Sequence, residues 1–157
     1  MLGLAAQWLG VNQTQANSVA PILISEEQGR HKSTFCRMLM PPQLTRYYSD
    51  NLKLTAQGNP ERLLAEMGLL NMDEFDKFGA QKMPLLKNLM QMSSLNICKA
   101  YQKNFRPLPR IASFIGTSNR TDLLHDPTGS RRFFCIEAEH DIDCTGIEHS
   151  PYTPSIT

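Results

Sequence analysis

Two short apolar runs, each ending in a polar cluster, constrain this chain more than any other feature. Ala20-Pro21-Ile22-Leu23-Ile24 leads through one turn to Lys32-Ser33-Thr34, and Leu69-Leu70-Asn71-Met72 passes straight into Asp73-Glu74. Uniformly apolar strands of this length suit a parallel sheet covered on both faces. In such sheets ligands gather where the strands end. A lysine with a hydroxyl after one strand, and paired carboxylates after another, are what phosphates and a hydrated magnesium ion require.

The turn itself reads Ser25-Glu26-Glu27-Gln28-Gly29-Arg30-His31-Lys32. Phosphate binding needs backbone N–H groups converging on an anion, and glycines let the chain curl closely enough. Gly29 is present, but Glu26 and His31 stand where the GxxxxGK[ST] pattern has its two glycines. By itself the turn reads equally as a surface loop before a helix with Ser33 near its cap.

Further elements follow from local composition. Residues 2–9 have helical composition and 10–17 form a polar connector. A helix is expected from Ser33 to about Met40, stopped by Pro41-Pro42. Tyr47-Tyr48 opens a short strand, and Glu61 to Met67 forms a helix with Pro60 in its first turn and Gly68 ending it. Helical composition returns from Pro84 to Met92. Residues 96–110 read as a strand or hairpin leading into the apolar run Ile111–Gly116, Asp126-Pro127-Thr128-Gly129 as a turn, and Arg132–Ile136 as a last strand. Strands alternating with helices give a mostly parallel, three-layer α/β domain. The expected divisions are residues 1–18 as helix and connector, 19–143 as the core, and 144–157 as an irregular tail, whether of a truncated product or of an isolated core.

Two more positions could carry chemistry. Asn119 closes the run Phe114-Ile115-Gly116-Thr117-Ser118, where an amide could orient an attacking water or simply sit in a turn. Arg131-Arg132 could neutralise charge on a transferring phosphoryl group or merely flank a strand in solvent. Asp76 reads as a cap or a solvated acid.

A net charge of +1 conceals segregation. Residues 77–121 hold eight basic side chains and no acid, whereas five acids and no Lys or Arg follow Phe133. This asymmetry points to a polyanion as partner of the middle section. Within it Lys99, Tyr101, Lys103, Phe105 and Arg106 interleave cations with rings, which suits tracking a nucleic-acid backbone and stacking its bases. A solvated basic face with the rings in the core fits the same pattern. No run approaches the roughly 18 apolar residues of a membrane span. The start of the chain makes a poor signal peptide, and Cys36, Cys98, Cys135 and Cys144 show no CxxC spacing, so the reducing cytoplasm is the expected compartment.

The stretch from about Ala6 to Asp143 resembles the ATPase core of the virulence-associated protein E family. The resemblance is carried by Gln28-Gly29-Arg30-His31-Lys32-Ser33-Thr34-Phe35-Cys36-Arg37, Asn71-Met72-Asp73-Glu74-Phe75-Asp76, Phe114 to Asn119, and Asp126 to Phe133. Those proteins belong to phages, plasmids and genomic islands and are similar to superfamily 3 helicases of the AAA+ type. The resemblance implies a P-loop NTPase fold and ATP with Mg2+ as cofactors. It also implies a DNA-dependent, helicase-like role in replication on single-stranded or forked DNA. Residues 28–34 would surround the phosphates, with Lys32 on the β/γ-phosphates and Ser33 on magnesium. Asp73 would hold the hydrated ion, Glu74 would activate water, and Asn119 would sense the γ-phosphate. Arg131 or Arg132 would serve as an arginine finger on a neighbouring subunit, implying a homo-oligomer. The family carries glycine where His31 stands; a positive φ there would strain a histidine.

Two other readings remain open. One is a non-hydrolysing remnant that binds nucleic acid or a partner protein through the basic segment. The other is a small P-loop kinase, which would need neither Asn119 nor the arginine pair.

Overall fold

A computed structural model describes residues 7–9, 17–97, 106–122 and 131–145. Five strands form one parallel sheet: β1 (Ala20–Ile24), β2 (Tyr48–Ser49), β3 (Leu69–Met72), β6 (Ser113–Ser118) and β7 (Phe133–Glu137), in the spatial order β2-β3-β6-β1-β7. Between them in the chain lie α1 (Lys32–Met38), α2 (Pro60–Glu66), α3 (Met83–Gln91) and an antiparallel hairpin of β4 (Ser94–Ile97) and β5 (Arg106–Pro109).

Alternation along the strands sends side chains to two cores. Ile22, Ile24, Leu70, Met72 and Phe114 pack with Leu64 of α2 and Leu86, Leu89 and Met90 of α3. Leu23, Leu69 and Ile115 point the other way and meet Cys36 and Met40, with Trp8 and Tyr48 alongside. Apolar residues on both faces of β1, β3 and β6 therefore have a physical cause, since helices cover the sheet twice. The expected three-layer α/β architecture is the one observed. At its centre Gly116 has no room for a side chain. An added Cβ would lie 2.6 Å from Ile22 Cδ1 and 3.2 Å from the Met72 carbonyl oxygen.

The structure departs from the sequence reading in local detail. The helix after the first loop begins at Lys32 and ends at Met38. Pro60 does open α2, but that helix ends by Met67 turning extended, with no left-handed glycine. Gly68 serves packing instead: the Trp8 indole lies 3.1 to 3.3 Å from where its Cβ would be, and Trp8 Nε1 donates to the Gly68 carbonyl at 3.0 Å. Residues 43–47 fall within a 3-10 helix, Pro42–Tyr47, that delivers the chain to β2. Of the strand or hairpin expected over 96–110 the structure shows a hairpin, and its first strand starts earlier, at Ser94. Residues 1–6 and 10–16, the turn at 126–129 and residues 146–157 lie outside the described residues.

Arg110 is the largest difference between charge counting and structure. It was counted with the basic segment, yet it is 1% exposed. Its guanidinium donates to the Met90 carbonyl at 2.7 Å, the Leu89 carbonyl at 3.4 Å and the Asn17 carbonyl, and lies 5.5 Å from the Phe114 ring centre. It caps the end of α3 from inside the protein and cannot meet a polyanion. Among the described residues no helix is long and apolar enough to cross a membrane.

Candidate nucleotide and metal site

Parallel strands leave their carboxyl ends on one edge of the sheet. The loop after β1, the turn after β3 and the end of β6 meet there. Leu23 lies opposite Thr117 and Ile24 opposite Ser118, while Met72 lies opposite Gly116. The next residue after Met72 is Asp73, on the same side of the sheet as α1.

Lys32 opens α1 and is 8% exposed. Its ammonium donates to Asn119 Oδ1 at 2.8 Å and to the carbonyls of Ser25 and Glu27, each at 3.3 Å. Burial lowers its pKa, Arg30 lowers it further, and Asp73 opposes both. Three acceptors explain why the charge is tolerated where solvent is scarce. Ser33 Oγ donates to Asp73 Oδ1 at 2.8 Å. Thr117 Oγ1 donates to the same oxygen at 2.6 Å and accepts from the Glu74 N–H at 3.3 Å. Ser118 Oγ donates to Asp76 Oδ1 at 2.9 Å, so Asp76 braces the turn after β3.

The backbone at this edge is unusual. His31 has φ 57° and Glu74 φ 50°, both in the left-handed region that side-chain-bearing residues seldom adopt. Gly29 has φ 84°. The loop curls through positive φ twice, at Gly29 and His31. Histidine therefore occupies the conformation for which glycine is the usual solution, with its side chain exposed and no cap bond to the helix. Strain of this kind collects at functional turns.

The remaining expected residues divide clearly. Arg30 turns behind the loop, paired with Glu27 at 2.8 Å and donating to the Glu139 carbonyl at 2.7 Å. Gln28, Gly29, Ser33 and Thr34 are exposed along the loop and first turn of α1. Glu74 is paired with Lys77 at 2.6 Å on the surface. Arg131 and Arg132 lie before β7, where the Arg132 carbonyl accepts from the Ala20 N–H at 2.7 Å. That is the amino edge of the sheet, one strand length, about 13 Å, from the loop of the same chain. Lys99, Tyr101, Lys103 and Phe105 lie outside the described residues, and Arg106 is placed by its backbone at the start of β5.

Sequence reasoning missed Thr117 as a contributor. A threonine inside a strand also signals ordinary β propensity, so nothing singled out its hydroxyl. It missed the Ser25 and Glu27 carbonyls because backbone acceptors carry no residue signature. Cys36, on the buried face of α1, is a core residue whose thiol is pushed up to about 12 by burial, with Asp73 adding to the shift.

The donors fit a hard, hydrated dication. Ser33 and Asp73 offer two oxygens within 2.8 Å of each other, and magnesium takes one or two such protein ligands with water and phosphate supplying the rest. Among the described residues no group of three His, Cys, Asp or Glu forms an all-protein metal cage. The arrangement suits a metal that arrives with its phosphate ligand.

Solved structures of the NrS-1 C-terminal region, in apo form, share the fold. Two of them superpose with TM-scores of 0.56 and 0.57 at 23% and 24% identity, over 89% of this chain. The chain spans about a third of their length, 33% and 35%. No curated protein matches. The family model of the virulence-associated protein E-like domain matches residues 10–152, and the chain belongs to that family.

Proposed function

We propose that the chain binds magnesium-ATP between the 25–32 loop and the ends of β3 and β6. In this reading it is the ATP-hydrolysing, DNA-coupled domain of a mobile-element replication protein. The observation that carries the proposal is the convergence of Lys32, Ser33, Asp73 and Asn119 from three chain segments, all within hydrogen-bond distance of a partner in the set. A lysine bonded to a strand-end amide, beside a hydroxyl bonded to a strand-end carboxylate, has little structural purpose on an exposed edge. It has an evident one if a phosphate is to replace the loop carbonyls on Lys32 and a cation is to enter between Ser33 and Asp73.

Bound magnesium would neutralise charge between the terminal phosphates. The protein's part is positional. Lys32 sets the phosphate chain, Ser33 and Asp73 set the ion, and Asn119 reads the terminal phosphate from the end of β6. Glu74 takes a proton from the attacking water after leaving Lys77, an exposed pair that costs little to break. Arg131 and Arg132 stand at the opposite edge, so an arginine finger reaches this site only from a second copy. DNA is the polyanion proposed for the 99–106 segment.

Calorimetric titration with magnesium-ATP tests the reading. Binding by the native chain is the expected result, and Glu74→Gln should retain it while losing about a hundredfold in DNA-stimulated hydrolysis. No binding by the folded native chain overturns the nucleotide reading. Binding with no hydrolysis at any protein concentration, with or without DNA, overturns the motor and leaves the non-hydrolysing alternative.

A further inference from the structure

The geometry assigns Thr117 as a positioning residue for the metal half of this site, an inference that rests on the nucleotide reading above. Thr117 is 3% exposed in β6. Its hydroxyl is used twice. It donates to Asp73 Oδ1 at 2.6 Å and accepts from the Glu74 backbone N–H at 3.3 Å. One oxygen therefore ties the carboxylate proposed to hold magnesium to the backbone of the residue proposed to activate water.

Two features make this more than a strand-end bond. Ser33 Oγ donates to the same Asp73 oxygen at 2.8 Å, so the carboxylate is fixed from two sides. Were Ser33 to serve as a ligand of a bound magnesium ion, its hydroxyl would hold Asp73 less firmly than it does here. Thr117, buried behind, is the donor that stays. Glu74 also holds a left-handed backbone, φ 50°, and its N–H is secured by Thr117. Asn119 follows two residues later and accepts from Lys32. The end of β6 thus orients the phosphate lysine through Asn119 and the metal carboxylate through Thr117. Outer partners of metal ligands characteristically set affinity by fixing ligand orientation.

The role demands a hydroxyl that both donates and accepts. Valine keeps the shape and removes both functions; serine keeps both and removes a methyl. ATP affinity should therefore be measured in EDTA and in saturating magnesium for the native chain, Thr117→Val and Thr117→Ser, with a melting curve for each. Thr117→Val should bind ATP in EDTA within about twofold of native and lose about tenfold of the gain that magnesium gives. Thr117→Ser should keep that gain. Thr117→Ala carries the same test if Thr117→Val does not fold.

Three outcomes overturn the assignment. One is an unchanged magnesium gain in Thr117→Val. Another is an equal loss in EDTA and in magnesium, as a merely structural role would produce. The last is a Thr117→Ser protein as impaired as Thr117→Val. A folded native chain that binds no ATP in either condition is a different failure, because the nucleotide reading then falls and takes this assignment with it.

Discussion

Among the described residues two cations are buried, and their surroundings differ. Arg110 and Lys32 are 1% and 8% exposed, and both donate to main-chain carbonyls. Burial depresses both, Arg110 to about 10, which still leaves it charged at neutral pH. Arg110 lies between the end of α3, the chain at Asn17 and the Phe114 ring, where the Leu89 and Met90 carbonyls are buried and the Asn17 carbonyl is half-buried. Lys32 lies at the carboxyl edge of the sheet, where its acceptors are the buried Ser25 carbonyl, the carbonyl of the exposed Glu27 and the half-buried Asn119 amide. A permanent partner set marks a structural cation. A set that includes loop carbonyls and a strand-end amide, with a carboxylate close enough to affect the titration, is what the proposed phosphate would replace.

Exchanging each cation for methionine should break the likeness. Arg110→Met strands the buried Met90 and Leu89 carbonyls, each worth about 1–3 kcal/mol, so a loss near 4 kcal/mol is expected in urea unfolding. A loss below 1 kcal/mol would show that water or a rearranged chain satisfies them, and Arg110 would cease to be structural. Lys32→Met should behave oppositely. It removes a charge that burial disfavours but also unpairs the buried Ser25 carbonyl, so unfolding should shift by about 1 kcal/mol, well short of the Arg110→Met loss. Magnesium-ATP affinity should fall by about 3 kcal/mol, roughly a hundredfold.

The same pair of proteins sharpens the argument through pH. The folded-state pKa of Lys32 lies below its ordinary 10.5. The folded chain therefore binds this proton less readily than the unfolded chain. The associated stability is present above 10.5 and lost as pH falls through the lowered folded value. Stability of the native chain relative to Lys32→Met should rise across that alkaline window, by an amount read from paired urea curves. A flat difference would mean that the three acceptors fully offset burial.

The smallest effect belongs to the loop. His31 already holds φ 57°, which costs about 1 kcal/mol that glycine would not incur, partly offset by glycine's freer unfolded chain. His31→Gly should stabilise by about 0.5 kcal/mol and raise the melting temperature by about 2 °C. Its ATP affinity should stay within about threefold of native, because the backbone already has the shape that glycine would supply. A tenfold gain would show that the imidazole, rather than the backbone, obstructs the phosphates.

Much of the fold was legible because its signals are local. β1, β3 and β6 are short apolar runs with no competing helical period, and Pro60 suits a first helical turn and little else. The convergence of Lys32, Asp73 and Asn119 followed from the rule that parallel strands end on one edge, and needed no knowledge of side-chain geometry. What stayed hidden depends on neighbours remote in the chain. Arg110 contributes the same +1 to a charge count whether it faces solvent or Phe114. Gly68 looks like a helix terminator until Trp8 is seen lying on it. Thr117 is indistinguishable from any strand threonine until Asp73 and Glu74 are placed beside its hydroxyl.

The place of β1 in the sheet bears on how this chain folds as it is made. β1 leaves the ribosome first of the five strands, yet its partners are β6 and β7, which begin at Ser113 and Phe133. Until β6 and β7 have been made, the segment APILI has no native neighbour on either side. Contacts this distant along the chain are slow to form, because loop closure precedes any reward. An apolar, uncharged strand waiting that long is the part of the nascent chain most in need of a chaperone and most exposed to pairing with another copy.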